Sequence, residues 1–127
     1  REGANKLEEN HIRLAVQRIE QDRINDALTS LPVQAKSVLF SILESNSNCT
    51  TGEVYDNYKI ICKKIGIEIL TQRRISSILS ELDLLGIITA SIVSHGRYGR
   101  TKKITNTVTP QIIKEVLKED QVLSIIL

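Results

Sequence analysis

A mainly α-helical winged helix-turn-helix fold with a β-hairpin wing is the architecture that this sequence predicts. Residues 70–86 carry apolar side chains three and four positions apart, which is typical of a helix with one buried face. Residues 87–94 and 102–108 are instead rich in β-branched side chains, as strands are. Between them lies HGRYGRT, whose glycines suit the tip of a hairpin. A helix followed by a basic hairpin is the arrangement of a winged helix.

The helix is predicted to have Thr71 as its N-cap and Gly86 as its left-handed C-terminal cap. Arg73 and three serines fall on the face opposite the apolar stripe, with Arg74 on its flank. Such a face suits the major groove of DNA, because arginine binds phosphate or guanine and small hydroxyl groups allow close approach. The serines are Ser76, Ser77 and Ser80, and the predicted inward residues are Ile75, Ile78, Leu79, Leu82 and Leu85.

Two further amphipathic helices are predicted before this unit and one after it. Pro32 suits the first turn of the earliest, and Thr50 with Glu53 matches a capping box at the start of the next. Pro110 suits the first turn of the last helix, and the apolar tail after it is expected to pack on the core. The predicted inward residues are Val38, Leu39, Ile42 and Leu43, then Val54, Tyr55, Tyr58, Ile61, Cys62 and Ile65, then Ile112, Ile113, Val116 and Leu117.

The N-terminal stretch, residues 7–31, also has a helical pattern, but the apolar register shifts near residues 21–23. It is either two helices or one helix that changes its packing partner there. We therefore place a boundary at this point, with residues 23–127 as the winged-helix domain and residues 1–22 outside it. Because the chain begins with Arg1 rather than Met, we expect a fragment or a processed product.

Positive charge is concentrated on the predicted helix and hairpin. The net charge of the chain is +2, yet residues 59–103 carry +6, whereas residues 1–58 carry −3 and residues 104–127 carry −1. This distribution indicates a polyanionic partner. The helix before this one carries three lysines on its outer side, namely Lys59, Lys63 and Lys64. Exposure to solvent and contact with phosphate explain these lysines equally well. With neither a bilayer-length apolar run nor a basic helix with apolar anchors, we expect no membrane partner and a cytoplasmic location at the nucleoid.

The sequence offers no candidate active site. Cys49 and Cys62 are the only cysteines and lack the spacing and the histidine neighbours of a metal site. The motifs GxxxxGK[ST], HExxH and GxSxG are absent. His95 has no adjacent carboxylate to orient it, so a contact to a groove or phosphate is a better interpretation than a catalytic base. We expect a non-enzymatic domain without a cofactor or metal of its own.

Three strings together resemble a known family: TTGEVYDNYKIICKKIG, LTQRRISSILSELDLLGII and SHGRYGRTKKI. In this order and spacing they are similar to the C-terminal winged-helix region of archaeal replication initiators. These proteins are related to the eukaryotic origin recognition complex and to the cell-division-cycle licensing ATPase. The resemblance covers about residues 10–110. The resemblance implies an upstream AAA+ module that holds ATP or ADP with Mg. It also implies that residues 1–22 are either the end of the lid of that module or the connector to the winged helix.

The resemblance also implies binding to double-stranded DNA at replication origins, with the helix in the major groove and the wing in the minor groove. The implied helix contacts are Thr71, Gln72, Arg73, Arg74 and Ser77. The implied wing contacts are Gly96, Arg97, Tyr98, Gly99, Arg100, Thr101 and Lys102. His95 joins this set only as the groove or phosphate contact inferred above from its own surroundings in the sequence. His95 stands where the family commonly has a lysine or arginine, and Lys103 stands where it commonly has an acid.

Two other functions stay open at this point. A winged-helix transcription regulator would need to dimerise, for which the apolar C-terminal tail could serve. A protein-interaction module would dock the wing on an acidic partner such as a replicative helicase. For the initiator we expect a monomeric fragment, with a helicase or other initiator paralogues as protein partners.

Overall fold

The computed structural model describes residues 2–45, 48–94 and 100–126. In these residues five α-helices and three short strands form a winged helix, as predicted. A 3-10 turn, Leu123–Ile125, follows the last helix. The helices are α1 Glu2–Ser30, α2 Val33–Glu44, α3 Thr51–Ile65, α4 Gln72–Leu84 and α5 Pro110–Lys118, and the strands are β1 Cys49–Thr50, β2 Ile88–Ser94 and β3 Arg100–Asn106.

Helix α2 forms the centre of the domain, because α3, α4, α5 and β3 all pack against it. Every residue from Ala35 to Ile42 is buried, so this helix has no wide polar face. Ser37 and Ser41 satisfy their buried hydroxyl groups by donating to main-chain carbonyl oxygens one turn earlier, at 2.8 and 2.7 Å. Of the four inward positions predicted for α2, three are buried and Leu43 is only half-buried. Pro32 is the N-cap residue of α2 rather than part of its first turn.

The sheet has the order β1-β3-β2, with both pairs antiparallel. Strands β2 and β3 form the predicted hairpin, in register from Ile88 opposite Asn106 to Ser94 opposite Arg100. Strand β1 was not predicted, since two residues are too few to show a period. It exists because Cys49 is buried opposite Ile104 and donates its thiol hydrogen to the Ile104 carbonyl oxygen at 3.6 Å.

Helix α1 is one continuous helix, which settles the choice between one helix and two. Each residue from Glu8 to Arg23 is exposed, including Ile12 and Ile19, whose side chains are 64% and 67% accessible. Contact with the core begins at Ile24 and continues through Ala27 and Leu28. None of the helices in the described part of the chain combines the length and the apolarity that a membrane crossing requires.

The C-terminal segment packs back on the domain, as predicted. Pro110 occupies the first turn of α5, with Ile113 and Leu117 buried and the other two predicted inward residues half-buried. Leu123 is fully buried and Ile126 packs against the core, whereas Ile125 is 71% exposed.

Candidate nucleic-acid interface

Helix α4 has the capped, amphipathic form that its sequence predicts. The Thr71 hydroxyl oxygen accepts the Arg74 N–H at 3.2 Å, and Gly86 has the left-handed φ of 78° that closes the helix. The aliphatic face is buried at Ile75, Ile78, Leu79 and Leu82. The inward prediction for Leu85 is wrong, because this residue follows the last helical residue at the edge of the stripe and is 42% exposed.

The outer face of α4 is open to solvent. All five residues expected to contact DNA on this helix are exposed, and Ser76 is half-buried. Two hydroxyl groups point back to the helix backbone: Ser77 donates to the Arg73 carbonyl at 3.4 Å and Ser80 donates to the Ser76 carbonyl at 3.1 Å. Neither Arg73 nor Arg74 forms an ion pair with any residue that the structure describes. The five exposed residues are Thr71, Gln72, Arg73, Arg74 and Ser77.

The connection from α3 to α4, residues 66–71, is held by three side chains that the sequence did not single out for this role. The Tyr58 hydroxyl donates to the Gln34 side-chain oxygen at 2.5 Å and accepts the Leu70 N–H at 3.0 Å. The Tyr55 hydroxyl donates to the Leu70 carbonyl at 2.9 Å, and the Gln34 amide donates to the Glu68 carbonyl at 2.8 Å. Hydrophobic periodicity located the rings of both tyrosines but carries no information about their hydroxyl partners.

The lysines of α3 lie on different flanks of the helix. Lys59 lies over the Tyr55 ring, 5.0 Å from its centroid, and 3.5 Å from the Asp56 carboxylate. It is therefore on the flank that faces the turn into α4. Lys64 is five positions on, roughly 140° around the helix, where it lines a cavity with Phe40 and Ile126. Of these two lysines, Lys59 packs on the tyrosine whose hydroxyl group binds the turn into α4.

The structure places only part of the predicted wing contacts. His95, Gly96, Arg97, Tyr98 and Gly99 lie outside the described residues, and of Arg100 and Thr101 only the backbone is described, as part of β3. Lys102 is half-buried opposite Ile92, on the sheet face that carries the buried Ile88 and Ile104. Lys103, opposite Ser91, is on the other face. The two lysines therefore leave the hairpin from opposite faces.

Burial shifts the pKa of two cysteines and one tyrosine in the interior. Burial raises the pKa of the Cys49 and Cys62 thiols, which disfavours the reactive thiolate. Both cysteines are free. Burial likewise raises the pKa of Tyr58 to about 12, so its hydroxyl stays protonated and can donate. Within the described ranges, no cluster of three or more His, Cys, Asp or Glu side chains could hold a metal ion.

With this geometry established, comparison with known proteins identifies the family. Residues 26–116 match the model of the CDC6 C-terminal winged helix domain. The chain belongs to this family. The resemblance found in the sequence motifs is thereby confirmed, and the CDC6 winged helix accounts for α2, α3, α4 and the hairpin together.

Relatives of this CDC6-type chain are named as replication proteins. It is 45% identical over 125 residues to the ORC1-type DNA replication protein of Thermococcus kodakarensis, an alignment that covers 95% of this chain and 30% of that protein. It is 47% identical over 124 residues to the protein of the same name from Pyrococcus horikoshii, covering 94% and 30%. The chain therefore spans about a third of the length of these relatives. The chain is thus a CDC6-type winged-helix domain, and its counterparts in these relatives belong to proteins named ORC1-type DNA replication proteins.

Solved structures show the same fold. The Aeropyrum pernix ORC1 protein in complex with DNA superimposes with a TM-score of 0.84 at 37% identity, over 93% of this chain and 32% of that one. Cdc6p from Pyrobaculum aerophilum superimposes with a TM-score of 0.59 at 23% identity, over 75% of this chain and 26% of that one, which shows the fold alone.

Proposed function

We propose that this domain binds double-stranded DNA at replication origins, with α4 in the major groove and the β2–β3 wing in the minor groove. The observation that carries the proposal is the exposed N-terminal face of α4, where Arg73 and Arg74 point outward without an ion-pair partner among the described residues. Support comes from the Aeropyrum pernix ORC1 structure, which is a complex with DNA. The rest of the initiator, including its AAA+ module, lies outside this chain.

On α4 the proposed roles follow from chemistry and position. Arg73 and Arg74 can each form paired hydrogen bonds to guanine or to a phosphate. Thr71 and Gln72 stand at the N-terminus, where main-chain N–H groups and the helix dipole favour a phosphate. Ser77 is one turn further along and small enough to let the helix approach the base edges. Its hydroxyl oxygen can still accept a hydrogen bond, because it uses only its proton within the helix.

On the wing, Arg97 and Arg100 are proposed to follow the minor groove, whose negative potential deepens where A·T-rich segments narrow it. Lys102 is proposed as a further contact of the wing to DNA. His95 and Thr101 would contact the backbone, Gly96 and Gly99 would allow close approach of the tip, and Tyr98 would pack against sugar edges.

Lys59 of α3 is proposed to contact a DNA phosphate. The proposal can be tested because Lys59 and Lys64 lie on different flanks of the same helix. Lys59→Ala is expected to weaken binding to any duplex about equally and to reduce the magnitude of the log–log salt slope by about 1. The matched control is Lys64→Ala, which removes the same charge from the other flank of the same helix. We would measure both by fluorescence anisotropy at several salt concentrations. Equal effects of the two substitutions would contradict the assignment.

Residues 1–22 are proposed to be the end of the AAA+ lid or the connector to it. The exposed apolar side chains of α1, among them Ile12, Leu14 and Ile19, support this, because they need a covering partner that the winged-helix core does not supply. ATP or ADP with Mg would belong to that upstream module. We further propose that the isolated domain is monomeric, and that a replicative helicase and other initiator paralogues are partners of the whole initiator.

A further inference from the structure

We propose that Gln34, Tyr55 and Tyr58 are positioning residues that give α4 its ability to discriminate between DNA sequences. The inference rests on the proposed function and adds to it the device that orients the recognition surface. None of the three side chains needs to touch DNA. They act through the turn that ends at Thr71, immediately before Gln72, Arg73 and Arg74.

The hydrogen bonds converge on one residue of the turn. The N–H of Leu70 donates to the Tyr58 hydroxyl at 3.0 Å, and its carbonyl accepts the Tyr55 hydroxyl at 2.9 Å. Both peptide planes that flank Leu70 are therefore tied to α3. Leu70 immediately precedes the N-cap, so fixing these two planes sets the direction in which the first turn of α4 leaves the connection.

Gln34 ties the same turn to the central helix. Its side-chain oxygen accepts the Tyr58 hydroxyl at 2.5 Å while its amide donates to the Glu68 carbonyl at 2.8 Å. The Tyr58 side chain is fully buried, and its ring stacks on Tyr55 with centroids 6.0 Å apart. A partly buried chain of donors and acceptors thus runs from α2 through α3 to Leu70, the residue before the N-cap of α4. Because residues 67–71 have no regular secondary structure, side chains take over the hydrogen bonds that a helix would have supplied.

Apolar packing alone would fix the orientation of α4 less strictly than packing and hydrogen bonds together. Its buried face is aliphatic, and burial of aliphatic surface stabilises contact without fixing direction. Hydrogen bonds are directional and weaken steeply when donor and acceptor are misaligned. The same contrast applies at the DNA. Contacts to base edges depend on alignment and carry specificity, whereas contacts to phosphate supply affinity without sequence information.

The test compares Tyr55→Phe and Tyr58→Phe with the wild-type chain. The probes are a duplex that the wild type selects from a random pool and a scrambled duplex of the same base composition. For each variant we expect the ratio of the two affinities to fall about tenfold, with binding to the scrambled duplex and its salt slope little changed. Tyr55 is only half-buried, so Tyr55→Phe keeps the inference testable even where Tyr58→Phe fails to fold.

The control variant is Ile113→Val, which trims a fully buried side chain of α5, a helix packed on α1 and α2. It loses stability without touching the turn, so it should leave the affinity ratio unchanged. If both tyrosine variants keep the wild-type ratio of the affinities for the selected and scrambled duplexes, the inference is overturned while DNA binding stands. The inference is also overturned if the wild-type chain binds both duplexes equally. A wild type that binds neither duplex at low salt overturns the proposed function and this inference with it.

Discussion

Replacing Asp120 by alanine is expected to lower the free energy of unfolding by about 3–5 kcal/mol. The Lys36 ammonium lies 3.1 Å from one Asp120 carboxylate oxygen, and the two side chains are only 10% and 15% exposed. The other oxygen accepts the N–H groups of Val122 and Leu123 at 2.9 and 3.2 Å. Alanine would leave a buried cation without a partner and would release the C-terminal turn that seats Leu123 in the core. Urea unfolding monitored by circular dichroism measures the loss.

The control for Asp120 is the double variant Lys36→Met with Asp120→Asn. It removes both charges, and the asparagine oxygen can still accept the two N–H groups. Because an unpaired buried charge costs more than the pair contributes, the double variant is expected to be more stable than Asp120→Ala. If Asp120→Ala unfolds at the same urea concentration as the wild type, the pair has no structural role.

The same carboxylate predicts a pH dependence. Burial acts to raise the pKa of Asp120, but hydrogen bonds from Leu123, Lys36 and Val122 outweigh it and hold the pKa below its usual value. Its contribution is therefore present above the unfolded-state pKa of about 3.9 and is lost as the pH falls through the lower folded-state value. Asp120→Asn should show a flatter decline of stability below about pH 4 than the wild type.

Replacing Arg73 and Arg74 together by alanine is expected to weaken binding to the selected duplex by at least about thirtyfold, since each arginine that bonds a base contributes on the order of 1–3 kcal/mol and about 1.4 kcal/mol is a tenfold change. Both side chains are exposed, so the melting temperature should change little. The matched variant, Arg73→Lys with Arg74→Lys, keeps the charge but loses the planar fork. It should therefore retain binding to the scrambled duplex and lose the preference. A lower melting temperature with unchanged binding would mean that the arginines are structural.

Most of the fold could be predicted because its signals are local in the sequence. The α4 cap depends on Thr71 and the N–H three residues later, and the buried stripe from Ile75 to Leu82 repeats at helical spacing. The hairpin followed from the change of period after Gly86. The family resemblance added the proposed DNA contacts. Of these, residues 71–74 and Ser77 are exposed together on α4. Residues 95–99 lie outside the described residues.

The rest could not be predicted because it joins polar groups that are far apart in the sequence. Lys36 and Asp120 are 84 residues apart, and Gln34 and Tyr58 are 24 apart. From its neighbours in the sequence, each of these four residues is interpreted as an ordinary surface or core residue. Only the packing of α2 among the other helices brings their polar groups together. The lysines of α3 show the same limit, because their flanks are visible in the sequence but the position of α4 is not.

The most direct test of DNA binding by α4 and the wing is an anisotropy titration of this chain on the selected and scrambled duplexes at several salt concentrations. If four to six phosphates are neutralised, the log–log slope should be about −4 to −5 on both duplexes, with tighter binding to the selected one at every salt concentration. A chain that fails to bind either duplex at about 50 mM salt would contradict the assignment of this surface to DNA.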